Sequence, residues 1–84
     1  MTAIIEFTFI GEQITKYINV EELYQSIENR NNNDIRYNFN VGKHNFQFKI
    51  DWVKNELVIY NNENLNVPFF YVNYFNIYFN SNLK

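Results

Sequence analysis

The sequence predicts an α+β fold, one helix packed on a mostly antiparallel sheet of five or six strands in the order ββαββββ. Three observations lead there. Apolar residues alternate with period two along most of the chain, which is the signature of half-buried strands. One stretch, Asn19–Glu28, switches to helical spacing instead. Two isolated glycines, Gly11 and Gly42, stand where alternating runs meet. With 84 residues a single domain (1–84) is expected. Its core is thin for want of length, but aromatic residues at 20% of the chain offset this by burying a large area each.

Ala3–Ile10 reads as the first strand, with Ala3, Ile5, Phe7 and Phe9 on one face and Ile4, Glu6, Thr8 and Ile10 on the other. A two-residue turn at Gly11-Glu12 returns the chain along Gln13–Ile18, setting Phe9 opposite Ile14 and Ile5 opposite Ile18. The same register puts Lys16 opposite Phe7, a break in the pattern. Asn19 is then a good helix N-cap, with Glu22 three residues on as in a capping box. Val20, Leu23, Tyr24 and Ile27 form the apolar stripe, while Glu21, Gln25 and Glu28 face away, and the helix ends in the Asn29–Asp34 tract near Arg30.

From Asp34 the period returns to two. Ile35, Tyr37, Phe39 and Val41 alternate with Arg36, Asn38 and Asn40, and after Gly42-Lys43 the apolar set is Phe46, Phe48, Ile50 and Trp52. A tight turn at Gly42-Lys43 pairs Phe39 with Phe46, Tyr37 with Phe48 and Ile35 with Ile50, and on the other face Asn40 with Asn45 and Asn38 with Gln47. A second turn at Lys54-Asn55 pairs Trp52 with Leu57 and Ile50 with Ile59. Residues 34–60 are thus expected as a meander with one dry face and one amide-rich wet face. Residues 61–67 are a loop, and Pro68 allows only the start or edge of a strand.

The final strand, about Phe69–Phe79, is apolar on both faces, since seven Phe and Tyr side chains fall within Val67–Asn80. Either it is central and covered on both sides, or one face meets a partner. The hairpin-then-helix opening resembles the start of the β-grasp (ubiquitin-like) fold, and a buried last strand is compatible with that likeness.

No residue set points to catalysis. The serines are Ser26 and Ser81, the one histidine, His44, follows a turn, and there is no cysteine. No nucleophile therefore stands beside a base, and neither a metal site nor a cofactor is expected. The net charge of −2 weighs against a sequence-independent nucleic-acid binder. Glu6 breaks the opening apolar run, so no leader is expected, and no apolar run is long enough to span a membrane. A cytoplasmic protein is the expectation. Seventeen residues are asparagine; like Ile, Phe and Tyr it is encoded by A/T-rich codons, so base composition accounts for much of its abundance.

The expected function is that of a small non-catalytic protein-binding module. Glu21, Glu22 and Glu28 would meet a host protein with a basic surface, and Tyr71, Tyr74 and Tyr78 would pack against a partner or a second copy, Tyr having one apolar end and one that hydrogen-bonds. In size, coding bias and acidic helix the chain resembles small phage or mobile-element inhibitors of host defence systems, the anti-CRISPR type among them. That likeness implies an inhibitor that occupies a protein surface, in the cytoplasm of the host cell if phage-encoded. The alternatives are a structural subunit that forms homodimers or larger homo-oligomers through the last strand, and a weak single-stranded nucleic-acid binder using Arg36, Asn38, Asn40, Asn45, Gln47 and Lys49 of the wet face.

Overall fold

A computed structural model of the chain describes residues 1–80. Strand β1 (Thr2–Phe9) and strand β2 (Glu12–Asn19) form the opening hairpin. The turn falls at Ile10-Gly11, with φ of 52° and 73°, and not at Gly11-Glu12 as the sequence predicts. The register therefore moves by two residues, to Phe7↔Ile14, Ile5↔Lys16 and Ala3↔Ile18. A two-residue shift leaves every side chain on its face, which is why the alternation alone did not distinguish the two registers. Positive φ at both turn positions matches the twist of the flanking strands, and that gain carries a β-branched Ile10 in a conformation such residues avoid.

Helix α1 (Val20–Glu28) follows β2 without a loop. The Asn19 carboxamide oxygen accepts from Glu21 N at 2.7 Å, one residue earlier than a capping box anticipates. At the other end Asn29 closes the helix, its backbone N–H and its Nδ2 both donating to Gln25 O. Leu23 and Ser26 are the buried side chains of the helix, and Val20 and Ile27 pack partly against the core. Ser26 Oγ donates to Leu23 O at 2.8 Å and accepts from Trp52 Nε1 at 3.0 Å. A buried hydroxyl thus has both kinds of partner and costs little to bury.

After a 3₁₀ turn at Arg30–Asn32 come strands β3 (Tyr37–Val41), β4 (His44–Asp51) and β5 (Glu56–Asn61). The β3–β4 pairs Tyr37↔Phe48, Asn38↔Gln47, Phe39↔Phe46 and Asn40↔Asn45 are those the sequence predicts, with Gly42 at φ 61° in the turn. Between β4 and β5 the pairs are Ile50↔Leu57 and Phe48↔Ile59, again two residues from expectation. The loop there holds four residues, 52–55, because Asp51 Oδ1 accepts from both Val53 N and Lys54 N and Asn55 supplies the left-handed residue at φ 57°.

The closing segment departs furthest from expectation. It is two strands, β6 (Phe70–Val72) and β7 (Phe75–Asn80), joined by Asn73-Tyr74, and they belong to different sheets. One sheet has the order β2-β1-β7 and the other β3-β4-β5-β6, so neither half is central. The single sheet of five or six strands, and the β-grasp-like arrangement with it, gives way to two antiparallel sheets with seven strands among the described residues.

The physical reason is the aromatic surplus. One sheet with a helix across it hides one face, whereas two sheets enclose a shared core. Phe7 meets Phe39 and Phe48 at 5.3 and 5.2 Å between ring centroids, and Phe9 meets Phe46 at 5.1 Å. These edge-to-face contacts join the sheets directly. The helix does not cross one sheet. It adds Leu23 to the shared core and, through Ser26 and Trp52, touches the hairpin loop of the second sheet.

Candidate functional site

Each sheet leaves two strands unpaired on one side, and these four edges are not alike. Edge β2 carries Glu12 and Lys16, the latter half-buried in the row that faces inward, and charge on an edge discourages a further strand. Edges β3 and β6 are five and three residues long. Edge β7 is six residues of FNIYFN, and no charged residue occurs anywhere from Leu65 to Asn80. Phe75 and Ile77 pack partly against the core, while Tyr78 and Phe79 are 44% and 48% exposed.

Both ends of β7 meet other exposed rings. At its far end Phe79 lies 6.3 Å from the Tyr24 ring of the helix. On the helix surface the neighbours of Tyr24 three residues before and four after are Glu21 and Glu28, both exposed. Two of the three acidic residues read from the sequence therefore bracket an aromatic pair that includes the last strand. Glu22, also exposed, lies one position round the helix, where its charge faces Tyr37. At the near end of β7 the crossover residue Tyr74 is 90% exposed.

The three tyrosines proposed as one surface stand on three different elements. Tyr71 pairs with Val58 on the outer side of the second sheet, and Tyr78 pairs with Ile4 on the outer side of the first. Tyr74 sits between them, in the crossover. Tyr78 is held in place, its hydroxyl donating to Glu6 Oε2 at 2.8 Å. That bond, then partial burial, then the charge of Glu6, raise the Tyr78 pKa above its ordinary value. Tyr17 and Tyr78 flank Ile4 from both sides and bury it although it faces outward.

A cleft of about 840 Å³ opens beside the crossover. Strand β1 runs to Phe9, whereas β7 begins opposite Phe7, so the last two residues of β1 have no neighbour on that side and the chain swings to the other sheet. Glu6, Gln13, Phe70, Tyr71, Tyr74 and Phe75 are among the residues around it. Sequence reasoning missed this cleft, Tyr24 and Phe79 as surface residues, and Glu6 as a site residue. The single carboxylate in an otherwise apolar first strand was the available signal for Glu6.

The wet face of the second sheet does bring its six residues together, with Asn38 and Asn40 opposite Gln47 and Asn45. Gln47 Nε2 donates to Asn38 Oδ1 at 3.1 Å. The Arg36 guanidinium stacks 3.8 Å above the Tyr60 ring and donates to Leu65 O at 2.9 Å, and Lys49 lies 6.0 Å from the same ring. Tyr60, the aromatic that could serve a base, is 4% exposed beneath them. Arg36, Asn38 and Gln47 are thus engaged with their own neighbours, while Asn40 and Asn45 are exposed.

His44 is exposed, Ser26 is enclosed by Leu23 and Trp52, and Ser81 lies outside the described residues. Among the described residues no group of three or more His, Cys, Asp or Glu is placed to hold a metal ion, and no helix is long and apolar enough to cross a membrane. A scan against protein-family models and searches of curated proteins and of solved structures return no match.

Proposed function

We propose that the protein is a non-catalytic protein-binding module whose contact element is the open edge of β7. One observation carries this reading: an aromatic strand long enough to be a central one is instead an edge, charge-free and half-exposed. An uncharged, apolar edge is what an incoming strand adds to, with backbone hydrogen bonds giving affinity and alternate side chains giving specificity. The occupant is an extended segment of a partner protein. Glu21 and Glu28 beside Tyr24 and Phe79 favour a segment that carries basic as well as apolar residues, in keeping with a host protein of basic surface. Inhibition by occupying that partner's surface, as phage-encoded inhibitors do, is the biological form this reading takes.

A second reading rests on the same strand. Paired antiparallel with its own copy about Ile77, β7 would set Phe75 against Phe79 and Asn76 against Tyr78 with no charge to bury, giving a homodimer with one continuous six-stranded sheet. Deuterium exchange tests both. Protection of the Phe75–Asn80 amides on adding a partner captured with the purified protein supports the module. Concentration-dependent protection of the same amides in the protein alone supports the homodimer. A partner footprint confined to residues 36–49 would overturn the β7 reading.

A further inference from the structure

The cleft at the crossover carries one formal charge. Glu6 supplies it, and the other residues around the cleft are Phe, Tyr, Val, Thr, Gln and Asn. The carboxylate is fixed by the Tyr78 hydroxyl on one oxygen, while the other oxygen keeps its capacity to accept. Phe70, Tyr71 and Tyr74, all at least half-exposed, and Phe75 bring aromatic rings to the same opening. An anion entering here would meet a like charge, and an apolar group would strip water from Glu6 without replacing its hydrogen bonds. A cation gains twice, from the carboxylate and from the ring faces.

We propose that this cleft is the subsite for one basic side chain, Lys or Arg, carried on the extended segment that docks along β7. The inference rests on the strand-docking reading above and adds its specificity-determining contact. The cleft opens where β7 begins, so a segment lying along β7 reaches it with a side chain at one end of the pairing. Strand alternation then allows a single residue of that segment to point into it. Glu6 selects the charge, Tyr78 holds Glu6, and Tyr74 closes over the incoming side chain.

The test uses three probes with the intact protein, followed by amide and side-chain chemical shifts at low salt. The first is a short extended peptide of alternating Thr and Val with one Arg. The second has citrulline, its neutral isostere, in place of Arg, and the third is Nα-acetyl-arginine methylamide. The Arg peptide is expected to perturb both β7 and Glu6 and to bind about tenfold more tightly than the citrulline peptide. Glu6→Gln is expected to erase that preference. Tyr74→Ala, at a position too exposed to matter for folding, is expected to weaken the Arg peptide several-fold.

Equal binding of the two peptides along β7 would overturn the subsite and leave the docking edge standing. Retention of the preference in Glu6→Gln would overturn it as well. An affinity for the free arginine derivative equal to that of the Arg peptide would replace the side chain by a free organic cation and overturn the proposal as stated. Failure of both peptides to perturb β7 would overturn the docking reading and the subsite together.

Discussion

Tyr37 is the one buried side chain among the described residues whose polar atom has no hydrogen-bond partner. Its phenol sits against Phe48 in the shared core, and burial, with the nearby charge of Glu22, pushes its pKa up to about 12. The native state therefore keeps the proton that the unfolded chain releases near pH 10. The stability tied to this group is fully present below pH 10 and is lost as the pH rises towards 12. Alkaline unfolding followed by fluorescence should show that loss, and Tyr37→Phe should abolish it. The same substitution removes an unpaired hydroxyl and is expected to stabilise the fold at pH 7 by about 1 kcal/mol in urea denaturation. Ile10 is the other strained residue. Ile10→Asn, placing a side chain that tolerates the left-handed region at φ 52°, is expected to add about 1 kcal/mol. Neither residue was legible beforehand, because alternation places Tyr37 in the core without saying what its hydroxyl meets. The asparagines were legible as turn and cap residues, and Asn19, Asn29, Asn33, Asn61 and Asn64 act as such, each bonding nearby backbone through the side chain.

The helix and the β3–β4 hairpin are the elements the sequence defines best. In both, several independent cues agree: a cap and a 3.6-residue stripe for the one, a glycine turn and two consistent faces for the other. Asn19→Ala should cost about 1 kcal/mol by loss of the cap, read as a lower urea midpoint with an unchanged slope. The hairpin of β1 and β2 and that of β4 and β5 were read two residues out of register. One turn is closed by Ile10, which is no turn former, and the other by Asp51, a turn former that the alternation running on to Trp52 had placed inside a strand. Under the proposed reading, the helix face is the element that would meet the partner's charge. Reversal of Glu21 and Glu28 to Lys is expected to weaken binding of a basic partner and to leave the unfolding free energy within about 0.5 kcal/mol, since both are solvated and the helix dipole disfavours Lys at 21 but favours it at 28. An unaltered affinity would remove the acidic helix from the interface and leave β7 alone.

At the scale of the molecule, the sequence told how much apolar surface had to be hidden and not how. A strand apolar on both faces admits a central position, a partner, or a break, and pattern gives no preference among them. The break at Asn73-Tyr74 is a tertiary solution: it lets Phe70 and Val72 serve one sheet while Phe75 and Ile77 serve the other. The candidate site shared that fate. Glu21 and Glu28 were identified as exposed acids, but their company with Tyr24 and Phe79 exists only because the strand ends beside the helix. The interlocked rings of Phe7, Phe39 and Phe48 make the two sheets one cooperative body. For a chain of this size the whole stability is about 4–13 kcal/mol. Phe48→Ala should remove about 3–5 kcal/mol of this, a large share of the total, and far- and near-ultraviolet dichroism should be lost together in one transition at lower urea.

The pairing of β1 with β7 also imposes an order in time. About 65 residues separate the two strands, so as the chain leaves the ribosome β1 and β2 lack their third strand until β7 arrives, and a hairpin alone is at best marginally stable. Their inward row of Ala3, Ile5, Phe7 and Phe9 has no second layer until β3, β4 and β5 have also emerged. A nascent chain halted before residue 75 is therefore expected to be protease-sensitive and prone to associate, and release of the next six residues should confer resistance in a single step. If β7 is the docking edge proposed above, that edge exists only in molecules in which β7 has already paired with β1.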